Sequence, residues 1–472
     1  MSFTSPFNTK CKGVGVLVKF LKQKILKEMK KLILFFLLIS AFAFGQGKKV
    51  LTLSECIKIA LDNNTTIKQA EYTAQSQSAS VTQAYGVFLP NLNISGNWNR
   101  TKRESDLTFI PGLGTVPFRT SQTLNSFSTT ASTSILLFNG FANFASLNRA
   151  KSNYLSADYN FKRTRQSVIF QTYQLYLNVL RNKQLLKVAE DNLKRSQRQL
   201  ERIVEANRVG SVSLADVYRQ EVQVGNDELA LIRAQADYDK AKADLLVYLG
   251  LIPTDEYEFE DPSIKVDIDT TEFDTLREQV KNLDVIISKA IETRPDYKSA
   301  IASLNAAKSG VTVAMSGYMP TISASASYNL NSNEFSTLTK NRSMGWGINI
   351  SFPIFDRLQL QTQVQQAKIN VKNAEVQVEQ ARRQITADVK KAILDLESAM
   401  KQIEVAERQV KAAELDLKTA EEKYNIGAGT LLDLLIATAN YTSAVSSRVN
   451  AIYSYIVAKV QLQYVLGELD VE

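Results

Sequence analysis

Arg208-Val209-Gly210-Ser211-Val212-Ser213-Leu214-Ala215-Asp216-Val217 is answered 217 positions later by Asn425-Ile426-Gly427-Ala428-Gly429-Thr430-Leu431-Leu432-Asp433-Leu434. Each stretch holds a glycine stop, then a hydroxyl residue, then an aspartate three positions on. Glycine accepts the left-handed conformation that ends many helices, where a β-carbon is strained. Ser213 and Thr430 are placed to cap the next helix, with Asp216 and Asp433 where a carboxylate completes the cap and meets the positive helix end. Both stretches read as short, rigid reversals between two helices.

The same offset persists outward from the turns, since Phe138, Leu249 and Gly250 recur as Phe355, Leu466 and Gly467. Upstream it becomes 230, with Leu89-Pro90-Asn91-Leu92 matching Met319-Pro320-Thr321-Ile322. Self-similarity on this scale marks a duplicated unit. The difference, 13 residues, is assigned to a longer first-copy loop around 100–123, where Pro111, Gly112, Gly114 and Pro117 mark irregular structure. The first repeat then covers 46–250, with a β-hairpin at 90–138, a long helix at 140–207 and a returning helix at 214–249. The second covers 283–472, with a hairpin at 320–355, a long helix at 357–424 and a returning helix at 431–466. Between them, 251–282 carries ten acids against three bases and reads as an acidic linker around the middle of the molecule.

Lys30 and Lys31, the apolar run 32–44 and the small residues Ala43 and Gly45 have the layout of a signal peptide over 29–45, which makes 1–28 an over-long start. Residues 1–47 hold eight Lys and one Glu, so the leader accounts for +7 of the net +8 and leaves +1 beyond it. A nucleic-acid partner loses its main support. Past the leader Cys56 is the lone cysteine, so no intramolecular disulfide is expected. The chain has no histidine, the commonest general base and metal ligand. No catalytic residue, cofactor or metal is predicted.

The long helices run without an internal Pro or Gly for about 100 Å at 1.5 Å per residue. Their apolar residues keep a seven-residue period: Leu147, Tyr154, Phe161, Val168 and Leu175 in one, Val364, Val371, Val378 and Ile385 in the other. A sustained heptad means helices packed as antiparallel coiled coils. Helices of about half that length, 65–88 and 295–318, precede the hairpins, the second opening at Pro295.

Four segments instead alternate with period two. Leu92, Ile94, Trp98, Ile348 and Ile350 are assigned to a lipid face, and Asn93, Ser95, Asn97 and Asn349 to a lumen face. Leu137 is placed on the apolar face of its strand with Phe127, Ala131 and Ile135. Strands of about ten residues with one apolar and one uncharged polar face have the pattern of transmembrane barrel strands. A bilayer cannot satisfy open strand edges, yet four strands are too few to close a barrel. Chains must share one barrel, and closure alone permits 8, 12 or 16 strands.

In this order of elements, in the Leu-Pro-Asn-Leu start of a strand, in Arg294-Pro295-Asp296 and above all in the paired turns, the chain resembles the TolC-type outer membrane efflux proteins across nearly all of 46–472. The resemblance implies an α+β membrane protein in the outer membrane. Four strands per subunit would join a 12-stranded barrel in a homotrimer, continuing into a periplasmic tunnel of helices. It also implies that the tips, Arg208, Val209, Gly210, Ser213, Asp216, Asn425, Ile426, Gly427, Thr430 and Asp433, dock a periplasmic adaptor that couples the channel to an inner-membrane pump. It places the periplasmic aperture near Asp416, Lys418 and Glu421, Lys418 standing where the family often carries an acid. The function implied is a passive exit duct for small molecules. A duct for protein secretion would use the same architecture, and a poreless coiled-coil scaffold would leave the one-sided strands unexplained.

Overall fold

The computed structural model describes residues 49–469 apart from 107, 113, 117–118, 254–256 and 262–270. The over-long start and signal peptide read over 1–45, and part of the acidic linker, lie outside the described residues. A short strand β1 (Lys49–Leu51) leads into α1 (Leu53–Asn63) and α2 (Thr65–Gly86). Strands β2 (Asn91–Ser105), β3 (Thr108–Ile110), β4 (Gly114–Val116) and β5 (Thr120–Asn139) follow, then α3 (Ala142–Arg208) and α4 (Leu214–Tyr248). Next come β6 (Tyr257–Phe259), α5 (Thr271–Val280), α6 (Leu283–Thr293) and α7 (Pro295–Ser316). Strands β7 (Thr321–Ser332) and β8 (Arg342–Ser351) precede α8 (Gln359–Asn425) and α9 (Leu431–Leu466).

The helix breaks at Asn64 and Arg294 stand 230 positions apart, and α3 and α8 have 67 residues each. At the joint between strand and long helix the N-cap residues Phe141 and Leu358 both adopt left-handed backbone, φ 68° and 66°, again 217 positions apart. A left-handed non-glycine residue costs energy, so the joint is held by its surroundings.

The sheet order is β2-β5-β7-β8, all antiparallel. Because each strand continues into or out of a helix, the helices lie side by side in the same sense: α2 on α3, α3 on α7, α7 on α8. Lower down, α4 packs on α3, α3 on α9 and α9 on α8. The protomer is thus a curved slab with two open sides, one formed by β2, α2 and α4, the other by β8 and α8.

The core lies at mid-height in two clusters, each receiving an aromatic from the segment read as a linker. Phe259 is 0 % exposed and meets Tyr176 edge-on at 5.9 Å, while β6 pairs in parallel with β1. Phe273 is 1 % exposed and meets Tyr455 at 5.2 Å. The segment therefore contributes to packing rather than merely bridging two halves. Cys56 lies fully buried in the first cluster, and burial, then Glu55 and Asp261, push its thiol up to about 12. A thiol so placed stays neutral and inert.

The first-copy loop differs from its reading. Strand pairing continues from Asn99↔Ser126 to Ser105↔Thr120, so much of 100–123 is hairpin, with β3 and β4 paired beyond it. A register shift between Leu136 and Phe138 makes Leu137 a bulge, and Phe138, opposite Ile322, takes the place on the apolar face. One extra residue reverses the alternation for the rest of the strand.

Candidate functional site

Directly opposed residues of neighbouring strands share a face of the sheet, so the register assigns every side chain. One row runs Ile94, Ala131, Tyr328, Met344, and the next Leu92, Thr133, Ala326, Trp346. Trp98 stacks on Phe127 at 6.3 Å on this face. Most of its large side chains are bare in the protomer, from Tyr328 at 42 % to Trp346 at 82 %. The other face runs Asn93, Ser132, Ser327, Gly345 and then Ser95, Thr130, Asn329, Ser343. Its hydroxyls and amides bond one another: Thr130 Oγ1 donates to Asn329 Oδ1 at 2.9 Å and Ser134 Oγ to Asn91 Oδ1 at 3.0 Å. The sheet therefore separates a hydrocarbon-compatible surface from a neutral wettable one. Where it meets the helices, Phe88, Phe138, Phe141 and Phe144 form an aromatic chain with centroids 5.0–6.5 Å apart.

At the far end of the helices the two turns share one backbone hydrogen-bond pattern. In the first, the Gly210 N–H donates to Asn207 O and the Ser211 N–H to Ala206 O; in the second, Gly427 donates to Tyr424 O and Ala428 to Lys423 O. This double bond pattern satisfies the last helical carbonyls and requires a left-handed residue, here Gly210 at φ 76° and Gly427 at φ 74°. The Ser213 hydroxyl accepts the Asp216 N–H at 3.3 Å and donates to Asp216 Oδ2 at 2.7 Å. Thr430 and Asp433 form the full reciprocal cap, which holds the Asp433 carboxyl below its ordinary value.

Ile203, Val217 and Leu431 are buried together beneath both turns, with Val212, Tyr424 and Leu435 packed around them. The two reversals are thus one platform. Burial, with Asp216 nearby, raises the Tyr424 phenol. Val209 at 74 % and Ile426 at 78 % exposure project from the platform, while Arg208 pairs with Glu205 and Asn425 closes α8.

Asp416, Lys418 and Glu421 are all exposed and form no ion pair among the described residues. Glu421 alone reaches a polar cavity of about 220 Å3 between the two helical hairpins, with Arg195, Arg202, Gln220 and Asp227. Asp416 and Lys418 lie on the exposed side of α8.

One polar knot escaped the sequence reading although its first residues stood out there. Arg294, 3 % exposed, donates through Nε to Asp296 Oδ1 at 3.0 Å and through Nη1 to Asp388 Oδ2 at 3.1 Å. Arg163 joins from α3, donating to Tyr464 O at 3.0 Å with its guanidinium 3.9 Å from the Tyr464 ring centre. The knot ties α3, α7, α8 and the end of α9 at mid-height.

The profile of the outer membrane efflux protein family matches residues 56–251 and 286–468. The chain is 23% identical over 458 residues to the outer membrane protein TolC of Vibrio cholerae serotype O1, covering 94% of this chain and 96% of that one. It is 23% identical over 321 residues to the pyoverdine export outer membrane protein OpmQ of Pseudomonas aeruginosa, 68% of this chain and 64% of that one. The crystal structure of the Campylobacter jejuni CmeC outer membrane channel superposes with a TM-score of 0.73 at 19% identity, covering 88% of this chain and 85% of that one.

Proposed function

Because the chain belongs to the outer membrane efflux protein family, we propose that three copies share a 12-stranded barrel continuous with a tunnel of helices, through which small molecules leave the cell without any chemical step. The observation that carries this is the matched pair of open sides. β2 and β8 each leave one row of backbone groups unpaired, and in hydrocarbon such groups cost several kcal/mol each. Four strands do not close, but β8 of one copy against β2 of the next does, and the same head-to-tail contact brings α8 against α2 and α4. The open side of α4 offers Tyr218, Val222, Leu229 and Ile232, at four- and three-residue intervals once Gly225 is counted, the spacing of a coiled-coil seam.

In that ring the Asn, Ser and Thr face lines the pore, a neutral wall that lets varied solutes pass in water. The duplicated unit, with boundaries at 46–250 and 283–472, places equivalent tips side by side at the far end. A periplasmic adaptor docks there and links the duct to an inner-membrane pump. The pyoverdine export relative supports a small-molecule cargo.

Mass measurement of the detergent-solubilised protein is expected to give three copies. A stable monomer without detergent sinks the shared barrel, whereas a dimer or tetramer keeps the barrel and rejects 12 strands. The docking role has its own test. Nothing lies within 4 Å of a β-carbon built on Gly210 or Gly427, so leucine there adds only local left-handed strain of about 1–2 kcal/mol and a bulky side chain on the platform surface. Gly210→Leu/Gly427→Leu is expected to assemble and conduct ions in planar bilayers but to lose efflux in cells; unchanged efflux would show that the tips are not the docking surface.

A further inference from the structure

Above the apolar band the lipid-facing side of the sheet turns basic. Arg100 and Lys102 follow Trp98 at two-residue steps on the same face, and Arg342 shares it through its pairing with Leu330. Their heights agree. Arg100 stands nine residues beyond Asn91 at the helix-proximal end of β2, and Arg342 nine residues before Ser351 at the helix-proximal end of β8. Nine residues of strand tilted at about 40° rise about 23 Å, close to the ~25 Å height of a barrel's apolar band. The basic residues therefore emerge where hydrocarbon gives way to headgroups at the outer surface.

Lys102 is paired with Glu104, while Arg100 and Arg342 are exposed and make no ion pair among the described residues. The interior of the same face carries no charge from Leu92 to Trp98 or from Met344 to Ile350. Charge thus appears on this face only at its rim. Two unpaired guanidinium groups, Arg100 one same-face step beyond Trp98 and Arg342 one beyond Met344, suit phosphate, which they bind with two parallel hydrogen bonds.

Resting on the barrel reading above, we propose that Arg100, Lys102 and Arg342 form a belt that binds the phosphate groups of outer-leaflet lipids. In a closed ring each copy repeats the belt, so the barrel carries a continuous collar of lipid-held phosphate. The collar fixes its depth in the membrane and selects phosphate-rich lipid as its boundary layer.

The chain has two tryptophans, Trp98 and Trp346, both on this face. Their fluorescence is a local reporter. The full-length protein is reconstituted in phosphatidylcholine vesicles containing brominated-chain phosphatidic acid or, at the same mole fraction, brominated-chain phosphatidylcholine. Brominated phosphatidic acid is expected to quench more strongly, corresponding to a preference on the order of ten-fold at low salt that collapses at molar salt. The variant Arg100→Ser/Lys102→Ser/Arg342→Ser is expected to lose this preference while keeping its trimer and its quenching by brominated phosphatidylcholine. Equal quenching by the two lipids in the wild type, or a preference that survives the triple substitution, overturns the belt. No quenching by either lipid overturns the barrel orientation itself, a failure distinct from that of the belt.

Discussion

Ile348→Arg is expected to abolish barrel assembly, whereas Asn349→Arg, one residue away, leaves it nearly intact. Ile348 opposes Ala324 on the apolar face and Asn349 opposes Ser323 on the polar one. Ile348 also lies inside the apolar band, six residues from Arg342 and three from Ser351. An arginine facing lipid near the midplane costs about 2–4 kcal/mol, and the ring multiplies that cost by its number of copies. In the proposed barrel, position 349 faces the neutral lumen, where the guanidinium keeps its hydration. The measurement is the fraction of protein that migrates as a heat-modifiable oligomer after outer-membrane extraction. Equal loss in both variants would mean that the sheet does not separate lipid from water, and the shared barrel would fall with it.

The faces at stake in that comparison were legible in the sequence because period two and period seven survive averaging over many residues. The turns were legible for a different reason: Gly210, Ser213 and Asp216 act on backbone groups within a few positions of themselves, so their chemistry is local. What stayed hidden depends on distance or on a single residue. Pro111, Gly112 and Gly114 mark the hairpin's tip, but strand pairing runs through the charged stretch Arg100–Glu104, where the apolar signal has ended and the backbone ladder has not. The bulge at Leu137 adds one residue, which no periodic pattern announces. The burial of Phe259 and Phe273 has no local signature in the acidic stretch 251–282, because the cores that bury them come from segments far away in the chain.

Arg294 shows the same limit, since Asp388, the carboxylate that completes its pairing, lies 94 positions away. Replacing Arg294 with methionine is expected to destabilise the fold, because Asp296 and Asp388 would lose the guanidinium they share and keep only the more distant Arg163. Arg294→Met/Asp296→Asn should recover part of the loss by removing one uncompensated charge. The pH dependence gives a second, sharper signature. Burial alone would raise the Asp296 carboxyl, but the two-pronged bond from Arg294, helped by Arg163, holds it below its ordinary value. A depressed carboxylate contributes stability that is fully present above its unfolded value, about 3.9, and is lost as pH falls through the lower folded value. Wild type should therefore weaken as acid reaches that range. In Arg294→Met the two-pronged bond is gone and Arg163 alone remains beside Asp296, so the lowering of the folded carboxyl shrinks and with it the stability that acid removes. That variant should lose less stability than wild type as pH falls through this range. Unfolding rates of the detergent-solubilised protein, followed by loss of helical circular dichroism at fixed temperature across this range, decide the matter. Parallel pH profiles for the two proteins would show that Arg294 does not hold Asp296 in its charged state, and that the knot at mid-height is held by packing alone.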